Sequence, residues 1–393
     1  MTVQTEFKPN KNRKLAIVGS RGIPAKYGGF ETCVEAVAPR LVEKGWNVFV
    51  SCEGTRDEGK PSIYKGVNLF YFPIRPFFRI AYEVLYDVYS LLKSSLICDC
   101  IYMLGYGAGL FLFIPKLSGR KLAVNVDGLE WKRAKFNRLE KLILLISERA
   151  AVKFADVVVA DSREIKKYIE QRYGKQAVYI TNGVDIPRHE EWNDQKLAGN
   201  SSLREKRLLP NDYWLAVARL EPENNIHTII QAFLKSSSKR KLLIVGNFSS
   251  KKYQKYVQRI LSEDNARERV ILPGAIYDLG LLNMLRQNCF AYIHGHSVGG
   301  TNPTLLEAMS MKNIIIAHGN EFNREVGGDT ILYFADANDL ATKINEVENA
   351  LDSFVHLKEA AYSRVLSNYS WTDIVEEYDK LFQKLCAGKV AYE

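Results

Sequence analysis

Residues 290–317 read FAYIHGHSVGGTNPTLLEAMSMKNIIIA. Phe290–Ile293 is an apolar run of strand length, a glycine-rich turn follows, Pro303–Met309 reads as a helix, and Ile314–Ala317 is apolar again. Strand, turn, helix, strand is one repeat of a doubly wound parallel sheet. Outward from it the same alternation runs through Tyr213–Ala218 (strand), Ile226–Leu234 (helix), Lys241–Val245 (strand), Tyr253–Ser262 (helix), Val270–Leu272 (strand) and Asp278–Gln287 (helix). The first half repeats it independently. There Leu15–Gly19, Trp46–Ser51, Cys100–Leu104, Lys121–Val126, Val157–Ala160 and Ala177–Ile180 read as strands, and Glu31–Lys44, Leu139–Phe154 and Arg163–Tyr173 as helices.

Two such halves, 1–190 and 213–365, fit a chain of 393 residues, too long for one ordinary core. The polar stretch 191–212 has no apolar period and reads as a linker, and 366–393 as a C-terminal helix packing back on the first domain. Ligands of doubly wound sheets bind beyond the carboxyl ends of the strands. With 47% apolar and 25% charged residues, disorder is excluded. The lysine-rich start runs straight into a strand without the apolar core of a signal peptide, and the most apolar stretch, Leu104–Pro115, is broken by Gly105, Gly107 and Gly109. We therefore expect no secretion and no transmembrane helix. Six cysteines lack any CxxC or metal-ligand spacing, which suits reduced thiols in a cytoplasm.

Charge is uneven. Residues 1–200 hold 31 Lys and Arg against 22 Asp and Glu, whereas residues 201–393 hold 23 of each. The excess of the first half points to an anionic partner, and with no RNA or DNA motif in view an anionic membrane surface is expected rather than nucleic acid. The segment 70–96, FYFPIRPFFRIAYEVLYDVYSLLKSSL, combines Arg75, Arg79 and Lys93 with Phe77, Phe78, Tyr82, Leu85, Tyr86 and Tyr89. Its apolar residues recur at helical spacing, so it reads either as a core helix or as a membrane-docking one.

Three segments carry chemistry. GSRGIPAKYGGFE (19–31) puts Gly28 and Gly29 before a helix, where N–H groups can meet an anion; it matches neither GxGxxG nor GxxxxGK[ST]. VARLEPENN (217–225) places Arg219 at a strand's carboxyl end, from which it can reach a phosphate or pair with Glu221 or Glu223. In HGHSVGGTNPTLLEAM (294–309) the turn suits a phosphate and Glu307, one helical turn on, could accept two hydrogen bonds from a ribose. His294 and His296 can share one side of a strand end, but no third ligand supports a metal.

The order of glycine loop, strand-end arginine and glycine turn before LLEAM resembles the family-4 retaining glycosyltransferases across nearly the whole chain. SRGIPAKYGGFE, NVDGLEWKR, RLEPENN and HSVGGTNPTLLEAM resemble the bacterial rhamnosyltransferase branch that builds capsule and cell-wall polysaccharides. The resemblance implies the GT-B fold, two facing Rossmann-like domains, with a nucleotide sugar, dTDP-L-rhamnose in this branch, as donor and a lipid-diphosphate-linked saccharide as acceptor. It implies that Gly28 and Gly29 lie against diphosphate or acceptor, that Arg219 binds the diphosphate and Glu307 the ribose, and that backbone groups of Thr301, Asn302 and Thr304 line the phosphate site. No cofactor and no metal ion is expected.

Three departures stand out. The family's lysine near position 224 is replaced by Asn224 and Asn225, its sugar-binding glutamate eight residues before Glu307 by Gly299, and its His-Gly by Asp127-Gly128. Donor-sugar contacts would then fall to His294, His296 or Ser297. Asp127 could take the acceptor proton or cap a helix starting near Leu129. A sugar-nucleotide epimerase of the same fold, or a non-catalytic sugar-nucleotide or membrane-binding protein, would share much of this pattern.

Overall fold

The computed structural model describes residues 13–25, 28–55, 59–74, 79–126, 128–133, 136–262 and 266–388. The chain divides into two compact units, the first comprising Met1–Trp131, Phe136–Thr181 and Trp371–Glu393, the second Asn182–Ser370 with the short segment Lys132–Lys135. Each is one sheet covered by helices. In the first unit β1 (Lys14–Val18), β2 (Asn47–Cys52), β3 (Ile63–Tyr64), β4 (Val67–Tyr71), β5 (Cys100–Leu104), β6 (Lys121–Asn125), β7 (Val157–Ala160) and β8 (Ala177–Tyr179) lie in the order β3-β4-β2-β1-β5-β6-β7-β8. All neighbours are parallel except β3 and β4, a hairpin whose two-residue turn has Lys65 at φ 48 and Gly66 at φ 80. Such a turn needs left-handed residues at both positions, which glycine adopts freely and lysine with strain.

The second unit holds β9 (Tyr213–Val217), β10 (Lys241–Val245), β11 (Val270–Gly274), β12 (Ala291–His294), β13 (Ile315–His318) and β14 (Leu332–Phe334), all parallel, in the order β11-β10-β9-β12-β13-β14. Buried on both faces, these strands read as apolar runs without alternation, and β9 and β12 are fully buried save at Val217. The helix Ile226–Lys235 sinks Ile226, Ile229, Ile230 and Phe233 into this core, each contributing about 1.5–3 kcal/mol of apolar burial. Strand order reverses between β1 and β5 in one sheet and between β9 and β12 in the other. The loops leaving those strands are where ligands of such sheets bind.

Two assignments made from sequence change. The stretch 191–212 is not a free linker: helices Asp194–Gly199 and Ser201–Arg204, capped by Asn193 and Asn200, bring Leu197 and Leu203 into the second unit's core, and Leu208 follows them there. The chain passes instead from the first unit to the second after Thr181, and back after Ser370. There the helix Trp371–Cys386 buries Trp371, Ile374, Tyr378 and Phe382 among β-strand residues of the first unit. Trp46 Nε1 donates to Asp379 at 2.7 Å, and the Tyr102 and Tyr378 hydroxyls lie 3.1 Å apart. Among the described residues no helix is long and apolar enough to cross a membrane.

Candidate functional site

The second unit's site is built from the loops that leave β9 and β12, neighbours in the sheet with Leu215 opposite Tyr292. Arg219 stands just beyond β9 with its side chain 48% exposed, and Nη1 is 3.8 Å from Glu221. A contact that long, between an exposed cation and a mostly buried carboxylate, leaves most of the guanidinium's donors open to an anion. Below it Asn224 is buried. Its Nδ2 donates to the Arg219 carbonyl at 2.6 Å, which fixes the amide's orientation and leaves Oδ1 2.6 Å from His296 Nδ1. The amide oxygen can only accept, so His296 carries its proton on Nδ1, and Nε2 is an acceptor. Burial, then the charges of His294, Arg133 and Arg219, hold His296 far below the usual imidazole range, so the ring is neutral near pH 7.

The two loops are knit together further on. Ser297 donates through its N–H at 3.0 Å and its hydroxyl at 2.8 Å to the Glu223 carbonyl, and Asn225 Nδ2 donates to the Gly295 carbonyl at 2.8 Å. A Cβ on Gly295 would sit 2.2 Å from the Asn224 carbonyl oxygen, so only glycine lets the loops meet. Asn320 and Asn323 each donate from Nδ2 to the His296 carbonyl at 2.8 Å. His294, one strand step inward, is 3% exposed, and Nε2 has no hydrogen-bond partner; burial pushes its pKa down to about 3.

Gly299 has φ 130, and a Cβ there would approach His296 Nε2 to 3.0 Å. The backbone thus accounts for the missing glutamate: the position favours glycine, and any larger residue there would press its Cβ against the His296 ring. Asn302 caps the helix Pro303–Ser310, its Oδ1 accepting from the Thr304 N–H at 3.0 Å and from the Thr304 hydroxyl at 2.7 Å. The Thr304 groups expected on the phosphate side are therefore already engaged. Thr301 is buried, and its carbonyl accepts from Asn182 Nδ2 at 3.3 Å.

Glu307 lies on that helix with its side chain 27% exposed, and Oε2 pairs with the guanidinium of Arg286, whose side chain is 2% exposed. Arg286 comes from the helix Leu279–Gln287 and was not singled out in the sequence; the only signal was a lone charge in an otherwise apolar helix. It holds one carboxylate oxygen and leaves Oε1 for another donor.

In the first unit Gly28, at φ 118, precedes the helix Gly29–Glu43, and no side chain caps that helix. Glu31 in its first turn is buried, with Oε1 accepting from the Arg21 N–H at 2.9 Å and Oε2 2.0 Å from where a Gly28 Cβ would stand. Asp127 lies outside the described residues. Next to it Gly128 has φ 60, and Tyr106 OH, beneath, accepts from the Glu130 N–H at 2.8 Å and donates to the Gly128 carbonyl at 3.4 Å. Among the described residues no group of three or more His, Cys, Asp or Glu is placed to hold a metal ion.

Of the segment expected to dock on a membrane, 75–78 lie outside the described residues. Tyr82 and Tyr86 in the helix Arg79–Ile97 are buried against Phe72 at ring distances of 5.4 and 5.9 Å, Lys93 sits over the Phe70 and Tyr89 rings, and Leu85 and Leu92 remain exposed. The tyrosine face of that helix is core.

Residues 202–364 match the family model described as glycosyl transferases group 1, and residues 12–185 match a domain of unknown function, DUF1972. No curated protein matches in sequence. Among solved structures the chain is similar to sucrose-phosphate synthase from Thermosynechococcus elongatus, at 18% identity over 96% of this chain and all of the other, with TM-score 0.77. It is also similar to Anabaena HepE in complex with UDP and glucose, at 17% identity over 95% of this chain and all of the other, with TM-score 0.75. The catalytic domain of Arabidopsis thaliana starch synthase IV, bound to ADP and acarbose, is 14% identical over 95% and 99% of the two chains, with TM-score 0.68. The fold is GT-B.

Proposed function

We propose that this chain, which carries a group 1 glycosyltransferase domain on a GT-B fold, moves a sugar from a nucleoside diphosphate to a saccharide acceptor with retention at the anomeric carbon. Its four motif segments favour L-rhamnose from dTDP-L-rhamnose, a lipid-diphosphate-linked acceptor in surface-polysaccharide assembly, and work at the inner face of the cell membrane as a peripheral protein. The observation that carries the reading is the second unit's pairing of an exposed Arg219 at the end of β9 with a Glu307 carboxylate fixed from behind by Arg286. The HepE structures hold UDP, UDP with glucose, or UDP-glucose, which supports a nucleotide sugar as donor.

In this reading Glu307 Oε1 takes the ribose hydroxyls, and Arg219 with the N–H groups of the 299–302 turn takes the diphosphate. His296, beside Gly299, accepts from a sugar hydroxyl in place of the family's glutamate. The anomeric C–O bond breaks with its electron pair going to the diphosphate. The acceptor oxygen bonds the same carbon on the same face and passes its proton to the departing oxygen or to Asp127. Arg219 and the turn dipoles stabilise the charge developing on the leaving group, the largest single contribution in such reactions. No metal ion is assigned a step, so activity should survive chelation by EDTA.

Arg219→Ala and Glu307→Ala should each lose affinity for dTDP or UDP by about 1.5–3 kcal/mol, the scale of hydrogen bonds to charged groups. Calorimetry on folded variants checks this, and unchanged binding in both would sink the assignment. A panel of nucleotide sugars followed for hydrolysis and for transfer then identifies the donor.

A further inference from the structure

The helix Arg138–Phe154 of the first unit turns its apolar side outward. Leu139, Leu142, Ile143 and Ile146 recur at i, i+3, i+4 and i+7, so they share one face, and they are 66%, 53%, 47% and 48% exposed. Four large apolar side chains in a contiguous exposed stripe are not the scattered singles of an ordinary surface. The stripe continues onto the neighbouring turn. Gly109 is pressed so close to this helix that a Cβ would lie 2.0 Å from the Ser147 carbonyl, and Phe113 meets Phe154 at a ring distance of 6.3 Å. That places Leu110, Phe113 and Leu117, 45%, 40% and 81% exposed, beside it.

The exposed charges of this helix are of one sign. Arg138, Arg149 and Lys153 are exposed on this helix. Its two acids are turned elsewhere, Glu140 into the capping box with Asn137, and Glu148 into the interior, where it accepts from Trp131 Nε1 at 3.2 Å and from the Tyr168 and Tyr173 hydroxyls at 2.7 and 2.6 Å. A second copy of the chain would set this stripe against an identical one, cations included, with Glu148 of each helix buried and Glu140 of each engaged at its own cap. A bilayer with anionic headgroups supplies both complements, hydrocarbon for the stripe and negative charge for its flank.

We propose that this face of the helix Arg138–Phe154, with the 110–117 turn, is the surface by which the first unit docks on an anionic lipid bilayer. Docking needs no nucleotide, so it stands or falls separately from the assignment of the second unit, though its purpose rests on the reading that the acceptor is lipid-linked. The occupant is headgroup and acyl chain together, not free phosphate: inorganic phosphate would meet the arginines but leave the leucines in water.

The test is flotation of the full chain with phosphatidylcholine vesicles, with and without phosphatidylglycerol, at low and high salt. The chain should float with the anionic vesicles at low salt and be largely released at high salt. The variant Leu139→Gln, Leu142→Gln, Ile143→Gln, Ile146→Gln changes only exposed positions, so it should keep its melting temperature and nucleotide affinity. Its vesicle binding should drop about tenfold or more for each side chain that had entered the lipid. Leu85→Gln with Leu92→Gln, on the helix Arg79–Ile97, should leave binding intact. Undiminished flotation of the fourfold variant, loss in the Leu85/Leu92 variant instead, or no flotation by the wild type would each overturn the proposal. So would a wild type that fails to float but forms a dimer the fourfold variant cannot, which would make the stripe an interface between copies.

Discussion

Each unit sends a glycine turn into a helix beyond the carboxyl ends of its central strands, yet the two turns differ in charge. The first unit's turn ends at Gly28 with the Glu31 carboxylate tucked beneath it, bound to the Arg21 N–H. An anion is already built into the start of that helix, where the dipole favours one. The second unit's turn ends at Asn302, a neutral cap, and the neighbouring loop after β9 carries an exposed Arg219 and, through Asn224, a neutral His296. Among the described residues, the first helix start thus carries a built-in carboxylate in its first turn and the second does not. On the reading proposed above, this contrast favours the second turn for a diphosphate and leaves Gly28 and Gly29 to a neutral acceptor hydroxyl.

The largest expected effect tests what lies behind the second turn. Arg286 is buried, and without it the Glu307 carboxylate would lose its charged partner. Breaking such a pair by removing one member typically costs 3–5 kcal/mol, and because Glu307 keeps about a quarter of its surface in water the low end applies to Arg286→Met, about 3 kcal/mol. Adding Glu307→Gln should recover most of that loss. Denaturant titration reads both, and a double variant no more stable than Arg286→Met would mean the pair does not hold the helix.

That pair also marks the limit of what the sequence shows. The positions of β1, β2 and β5 to β13 were legible because buried parallel strands are short apolar runs separated by helices, whereas the hairpin strands β3 and β4, short and only partly buried, do not follow that pattern. Arg219, Glu307 and the turn were legible because each sits where a strand ends or a helix begins. Leu197, Leu203 and Leu208 were not: three leucines among polar residues give no period, and only the core they enter explains them. Arg286 and the Asn320–Asn323 clamp on the His296 carbonyl were hidden for a similar reason, since their partners lie 21 or more residues away. Tyr82 and Tyr86 misled in the opposite direction, because an aromatic helix face looks the same whether it meets lipid or Phe72.

A smaller effect distinguishes the turns by pH. His294, His296 and His318, all in the second unit, have pKa values depressed by burial, His294 to about 3. Below pH 6.5 the unfolded chain binds protons that the folded chain refuses, so stability rises with pH and is lost as pH falls from about 6.5 towards 3, by up to about 1.4 kcal/mol per pH unit for each fully refused proton. Melting curves between pH 7 and pH 5 should slide downward, and His294→Asn should flatten the slope whatever it does to stability at pH 7. An unchanged slope would mean that His294 protonates in the folded state.

The smallest effect tests the comparison most directly. Glu31→Gln keeps an oxygen acceptor for the Arg21 N–H while removing the negative charge at the start of the helix Gly29–Glu43. Interactions of this kind with a helix dipole are worth about 0.3–1 kcal/mol, so the loss in stability should be no more than that. Nucleotide affinity should not change if the diphosphate is held by the second unit alone. Were the diphosphate instead held at the first turn, Glu31 would repel it, and neutralising the carboxylate would tighten dTDP binding. Calorimetry of dTDP with Glu31→Gln beside Arg219→Ala therefore decides between the cradles: affinity lost at Arg219 and level at Glu31 keeps the diphosphate in the second unit, and affinity gained at Glu31 moves it to the first.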